Sequence, residues 1–557
     1  MKIHILKDDN FKWTESKIGN FTIASVGGIW INKKFLDKGS ANKKLYNYFQ
    51  LQEKENDLSI NELSRKVKNI KGHFSFIIFN ESFVFAAVDK IRSYPFFFSN
   101  KDDQIYFSND ARWLKKKASD LKINVNGITS LKMSGYTFGN ETIYSDIFSL
   151  EAGTIVFANK KKLSVNSYFI YAPENSIEKL EEERILDLHK ATKRTFEKMI
   201  DTLNGRKVMV PLSGGYDSRL VIAMLKELKY DNIIAFTYGT NKDWQVERAK
   251  YFSEIMNVEW KFIEYNNKIM RQYFNDDDRK LFYEFGSGLC SVPTIAHYYS
   301  IKGLINNKLL DKDSILINGQ SGDFTSGGHI GQLLDNKKFN NEISINELYD
   351  SIISNHYSLW ENEKTNENIK IIKDSLKREL KLQKNYITDD EFISLYEFQE
   401  WICRQTKFVV NGQRGYDWFG LDWRLPLWSD ELISFWSNTP WRVKYNQRLL
   451  LKYLQQYNFQ NVFNLNKNST HSKKYINSGK SYFPVWSKPL KIFFRLLNLF
   501  SKKGISYYYT AYLRYFMIYS WFYPQRKYFE YLKDSKYHRN VVSYWTKYFL
   551  KEQKYKK

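Results

Sequence analysis

Cysteine is nearly missing from this chain of 557 residues: only Cys290 and Cys403 occur. Two thiols so far apart offer neither metal-ligand spacing nor a disulfide framework. They suit small buried apolar positions and a reducing compartment, so a cytoplasmic location is expected. Long hydrophobic runs are missing too. No stretch reaches about 18 uninterrupted apolar residues, which argues against a spanning helix. The first ten residues, Met1 to Asn10, hold no small-residue cleavage pattern, so no secretory signal is expected. Negative charge is also short, with 61 Asp and Glu against 85 Lys and Arg and a net charge of +24. The imbalance concentrates late: from Lys480 onward there are 17 Lys or Arg and only 3 Asp or Glu. Such a tail suits nucleic acid or the anionic face of a membrane. A solvated basic surface is the plain alternative.

What is present points to more than one domain, because the length exceeds a single core. Up to about residue 170 the chain reads as short strands and turns. Residues 75–79 and 83–88 are apolar runs of strand length around the hairpin turn Asn80-Glu81-Ser82. Residues 95–98 and 105–108 repeat the pattern around a polar turn at 100–103, giving a mostly antiparallel region. The charged segment 177–198 reads as a helix and marks a boundary. Beyond Arg206, buried-type strands at 208–212, 233–237 and 260–263 alternate with helices at 218–228 and 243–256. In the first of these helices Leu220, Ala223, Met224 and Leu228 share one face. This order predicts parallel strands with right-handed crossovers, whose ligands bind beyond the strands' carboxyl ends. Residues 340–410 read as mostly helical. The domains expected are 1–170, 180–475 and a basic aromatic extension at 476–557.

The most specific feature is Ser213-Gly214-Gly215-Tyr216-Asp217-Ser218, between the first parallel strand and its helix. The glycines let backbone approach a phosphate, and free amides at a helix start point at the anion. Hydroxyls of Ser213 and Ser218 add donors. Asp217 suits Mg²⁺ that bridges phosphates. By average composition this pattern arises by chance at roughly 10⁻⁶ per position, so a phosphate cradle is preferred over a mere glycine turn. A second loop follows a strand at 314–317 and runs from Asn318 to Gly328, with Gly319, Gln320 and Asp323. Asp217 and Asp323 can hold one Mg²⁺ jointly; taken alone, the second loop reads first as a flexible glycine-rich turn.

These segments, in this order, resemble the asparagine synthetase family. The first loop is similar to its SGGxDS motif, and the second to its SGEGADELFGG loop. Leu425-Pro426-Leu427-Trp428 is similar to its VPFLD segment, Lys452-Tyr453-Leu454 to its KYLLR segment, and Ser291-Val292-Pro293-Thr294 to a substrate-side segment. Upstream, Gly72-His73-Phe74-Ser75-Phe76 and Asp89-Lys90-Ile91-Arg92-Ser93-Tyr94-Pro95 resemble the GxFAF and RDRxGxxPLYY patterns of the family's glutaminase domain. The resemblance implies an α+β N-terminal glutaminase-like (Ntn-type) sandwich, then an α/β PP-loop synthetase domain with a parallel sheet. It implies ATP and Mg²⁺ as cofactors. Ser213, Gly214, Gly215, Asp217 and Ser218 would hold pyrophosphate and metal, with Asp323 on the metal and Gly319 and Gln320 on the second wall. Thr237 and Gly239 would lie near adenosine, and Lys452 would assist adenylation of a carboxylate before an amine displaces AMP.

Two departures matter. Glutamine-hydrolysing members of the family use an N-terminal cysteine, and here Lys2 follows Met1 and no cysteine precedes Cys290. The first domain is therefore expected to be a glutaminase relic. Nitrogen would come from ammonia, a separate glutaminase partner, or an amine on the acceptor. Gln320 stands where the family has Glu, and an amide cannot act as a base. That favours another substrate, with a small-molecule or glycan carboxylate of surface polysaccharide synthesis preferred. Two rivals remain: a transfer-RNA-modifying enzyme on the same scaffold, disfavoured by the long domain before the loop, and a non-catalytic scaffold at the membrane with a decayed site.

Overall fold

The computed structural model describes residues 2–6, 12–36, 39–51, 59–101, 104–117, 120–173, 178–239, 244–331, 342–464, 537 and 539–553. The basic run from Lys480 to residue 536 lies outside them.

The first half is built from β1 (Lys2–Leu6), β2 (Thr14–Ile18), β3 (Phe21–Ile31), β4 (Lys34–Leu36), β5 (Lys71–Phe79), β6 (Phe83–Val88), β7 (Phe97–Lys101), β8 (Gln104–Ser108), β9 (Ile147–Ser149), β10 (Thr154–Asn159) and β11 (Leu163–Ser167). They form two sheets. One runs β1-β8-β7-β9, and the other runs β11-β10-β6-β5-β3-β2 with β4 beside β3. Strand side chains alternate between faces, and that period builds the layers. Ile77, Val84, Ala86 and Val88 face Phe96, Phe98, Ile105 and Phe107 across the two sheets. Their neighbours Phe76, Ile78, Phe83 and Phe85 face outward onto Leu45, Phe49, Leu63 and Val67 of two short helices. The hairpin expected at 80–82 is present, with Asn80 Oδ1 accepting from the amides of Ser82 (2.8 Å) and Phe83 (3.0 Å). The pairing of β1 with β8 is parallel, an exception to the antiparallel expectation.

Helix α5 in chain order, Glu181–Asp201, leads into a second, wholly parallel sheet. Its strands are β12 (Val208–Pro211), β13 (Ile233–Gly239), β14 (Glu259–Glu264), β15 (Ile315–Ile317) and an edge strand Asp422–Arg424, in the order β14-β13-β12-β15-edge. Helix α6 (Tyr216–Glu227) crosses from β12 to β13, and α7 (Trp244–Ile255) from β13 to β14. Leu220, Ala223 and Met224 of α6 are buried, as is every residue from Ser218 to Leu225. The helix lies between the sheet and the 448–463 region, so both its faces pack.

A mostly helical insert follows β15, as expected. It includes a π-helical stretch, Glu400–Val409. Of the extension expected at 476–557, residues 537 and 539–553 are described. Helix Val541–Glu552 buries Tyr544, Trp545 and Phe549 in the main core. Arg279, 1% exposed, grips Glu552 through Nη1 and Nη2. No described helix is long and apolar enough to cross a membrane.

Candidate functional site

The carboxyl ends of β12, β13 and β15 open into a cavity of about 600 Å³. That falls within the size range of small-molecule and cofactor sites. The first loop leaves β12 and enters α6 with extended Gly215 as the residue before the helix, and no side chain caps that end. The amides of the first turn are thus left for a ligand. The serines are already engaged: Ser218 Oγ accepts from the Ser213 amide and lies 3.1 Å from Ser213 Oγ, which accepts from the Gly215 amide. The loop is preformed. Arg219 braces it from behind, donating to the Gly215 carbonyl and the Val462 carbonyl while lying over the Phe252 ring.

The second loop closes directly on the first. The Asp323 amide donates to Asp217 Oδ2 at 3.1 Å. The approach requires glycine: a Cβ on Gly319 would stand 2.8 Å from the Asp217 carbonyl carbon, and one on Gly322 2.6 Å from Asp217 Cγ. Ser321 between them holds a left-handed φ of +67° and is anchored by its hydroxyl on Gln405 Oε1 at 2.7 Å. Burial, and then the neighbouring Asp323 carboxylate, push the Asp217 carboxyl up to about 7. Asp323 remains 56% exposed. Burial opposes its charge, but His329 holds its carboxyl below the usual range. Two adjacent carboxylates beside open helix amides fit a magnesium ion that arrives with phosphates, since Mg²⁺ takes one or two carboxylates and completes its shell with phosphate and water. Among the described residues no cluster of three or more His, Cys, Asp or Glu could hold a metal by itself.

Of the residues singled out in the sequence, Ser213, Gly215, Asp217, Ser218, Thr237, Gly319, Gln320 and Asp323 line this cavity. Thr237 ties two strands together, donating to the Leu212 carbonyl (2.7 Å) and accepting from Trp260 Nε1 (3.0 Å). The Gln320 side-chain oxygen accepts from Gln413 Nε2. Gly214 and Gly239 are not on the wall, and the Gly239 carbonyl accepts from the Tyr265 amide.

Lys452, expected to assist adenylation, lies outside the cavity, 44% exposed and paired with Glu181. Helix Arg448–Tyr457 buries Leu449, Leu450, Tyr453 and Leu454, and the helical period then turns position 452 outward. The residue of this segment that reaches the cavity is Gln447, whose amide donates to Ser326 Oγ. Segment 291–294 also stays off the wall, and His297, three residues on, takes its place.

Sequence reasoning missed His297, Arg404, Gln405 and Gln447. Arg404 is the cation of the described wall, carried by the π-helical stretch, a backbone form often found at functional sites. His329 was missed as well, although it directly follows the second loop. Its ring bridges Asp323 Oδ2 (3.2 Å) and the buried Glu400 Oε1 (2.7 Å). Burial disfavours its charge, but these two carboxylates outweigh burial and push it up to about 10.

The first half leans on this region. Asp430 Oδ2 accepts from the Gly72 amide, Trp401 Nε1 donates to the Lys90 carbonyl, and Arg414 Nη2 to the Ser93 carbonyl. Arg92 stands at the glycine position of the RDRxGxxPLYY pattern and has φ +55°. Its buried guanidinium donates to Ser149 Oγ, the Leu150 carbonyl and Cys290 Sγ. Both cysteines are buried, and burial pushes the Cys403 thiol up to about 12.

Residues 62–169 match the family model of a glutamine amidotransferase domain. No curated protein matches the chain. Among solved structures, the chain is similar to an NH3-dependent NAD synthetase from Campylobacter jejuni, at 16% identity and a TM-score of 0.20, over 34% of this chain and 94% of that one. It is also similar to the glutamine phosphoribosylpyrophosphate amidotransferase from B. subtilis, at 9% identity and a TM-score of 0.18, over 56% of this chain and 59% of that one. TM-scores this low carry no inference about activity.

Proposed function

We propose that this chain is an ATP-dependent amide-forming synthetase of the asparagine-synthetase type. The observation that carries the reading is the meeting of Asp217 and Asp323 beside the open amides of α6, at the carboxyl ends of parallel strands. In this reading a substrate carboxylate oxygen attacks the α-phosphorus of ATP. The bond to the bridging oxygen breaks, and pyrophosphate leaves into the 213–218 loop. An amine nitrogen then attacks the acyl carbon, loses a proton, and AMP departs. Magnesium, held by Asp217 and Asp323, would neutralise charge on the leaving pyrophosphate. Arg404 takes the role of wall cation that Lys452 was expected to fill.

The first domain is read as a glutaminase relic, because both cysteines are buried and lie outside the matched residues 62–169. Ammonia, an acceptor amine or a separate glutaminase then supplies nitrogen. The favoured acid is a precursor of a surface polysaccharide. A basic tail beyond Lys480 would place the enzyme at an anionic membrane surface.

The test is pyrophosphate release from magnesium-ATP over a panel of carboxylates, with ammonia or glutamine, for wild type and Asp217→Ala. Release that needs one acid, ammonia and Asp217 supports the reading. Glutamine replacing ammonia would sink the relic claim. Neither ATP binding nor release under any condition would favour the non-catalytic scaffold, the reading to which Gln320, paired with Gln413, lends support.

A further inference from the structure

A second cavity, of about 210 Å³, lies beyond Arg404 from the first. Three parts of the chain build it. Tyr136 comes from the sheet-rich half, His356, Glu400 and Arg404 from the helical insert, and Arg539 from the stretch before the last helix. Arg404 lines both cavities. His329 joins them, reaching Asp323 on one side and Glu400 on the other.

Three polar atoms on this wall are buried without a hydrogen-bond partner among the described residues: the Tyr136 hydroxyl, His356 Nε2 and Glu400 Oε2. Native interiors leave few such groups, and three around one cavity point to a missing polar occupant. The Glu400 carboxylate is divided. Its Oε1 accepts from Arg404 (3.0 Å), Gln405 (2.9 Å) and His329 (2.7 Å), while Oε2 has only His356 Nε2 at 3.6 Å. That separation is too long for a hydrogen bond. Burial holds His356 down to about 4, so its ring is neutral near pH 7. Arg539 is set in place by the carbonyls of Ser354 (2.8 Å) and Asn355 (2.6 Å) and brings a second guanidinium to the wall. The lining thus brings the guanidiniums of Arg404 and Arg539, the charged ring of His329 and the Tyr136 phenol around one open carboxylate oxygen of Glu400.

We propose that this cavity binds a small polar acid. Its carboxylate is met by Arg404, Arg539 and the Tyr136 hydroxyl, and its own hydroxyl or amino group donates to Glu400 Oε2. The inference rests on the synthetase reading and names its second substrate: an amino acid or a single sugar acid, since the volume is too small for a polymer. Arg404 on the shared wall puts that acid next to the nucleotide.

The test uses the full chain. Binding of aspartate, glucuronate and galacturonate is measured by calorimetry without nucleotide, and magnesium-ATP binding is measured separately, for wild type, Tyr136→Phe and Arg539→Gln. One acid is expected to bind, and each variant to weaken it at least about ten-fold, as for a hydrogen bond to a charged group. ATP affinity should not move. Tyr136→Phe should also leave the melting temperature undiminished, because the hydroxyl has no partner to lose; a merely structural tyrosine would lower it. Failure of every acid to bind overturns the proposal and leaves a solvent-filled cavity. Acid binding that neither variant weakens overturns it as well. The two readings fail separately. Acid binding sensitive to both variants without pyrophosphate release keeps the site and removes the synthetase. Acid-dependent release indifferent to both variants does the reverse.

Discussion

Replacing Lys444 by Met should unfold the protein far more readily than a surface lysine change. Lys444 and Glu397 have side chains 0% and 3% exposed, and Lys444 Nζ lies 2.9 Å from both Glu397 oxygens. Removing the cation strands a carboxylate where water cannot reach it, which costs about 3–5 kcal/mol in buried pairs. The second half of the argument is that the pair itself is close to neutral, because desolvation cancels much of the attraction. Lys444→Met with Glu397→Leu should therefore regain most of the loss. Urea unfolding followed by tryptophan fluorescence measures all three. The Lys444 carbonyl also sits 2.3 Å from where a Gly327 Cβ would stand, so the single variant should loosen the second loop and weaken ATP binding. A single-variant cost below about 1 kcal/mol, or a double variant no better than the single, would refute the reasoning.

Three further outcomes follow from the same geometry. Arg92→Gly should be more stable than Arg92→Ala by about 1 kcal/mol, since φ +55° strains alanine and not glycine; equilibrium unfolding of both checks the order. Burial, then Glu151, push the Glu379 carboxyl from 4.5 up to about 7. The folded state then holds a proton that the unfolded chain releases, so this group's contribution is full below about 4.5 and is lost as pH rises through about 7. Glu379→Gln should flatten that part of the stability profile, seen in melting temperatures across the window. Lys452→Met should leave acid-dependent pyrophosphate release within about two-fold of wild type, and a loss above about ten-fold (1.4 kcal/mol in the barrier) would return Lys452 to the site.

What could be read in advance was what is local. The 75–88 hairpin and the strands at 208, 233 and 260 follow from runs of apolar residues and turn chemistry. The two glycine loops follow from composition at strand ends. What escaped depends on distant parts meeting. The edge strand Asp422–Arg424 has three residues and joins its sheet through Ile315–Ile317, with the whole helical insert between them in sequence. Arg404 and Gln405 carry no signature, because their place depends on a π-helical turn that propensity does not encode. The place of Lys452 outside the first cavity was itself legible, since Leu449, Leu450, Tyr453 and Leu454 declare the inner face of that helix.

Helix Val541–Glu552 closes contacts with residues far back in the sequence. A ribosome delivers the 213–218 loop, Asp217, Asp323 and most of the first cavity's wall long before Val541–Glu552 emerges. Until then Arg279 has no Glu552 to hold, and the second cavity lacks the side contributed by Arg539. Synthesis from the N-terminus therefore leaves Arg279 and the second cavity waiting for residues 539–552, and a product cut short at residue 530 would carry the first cavity with an unsealed room beside it.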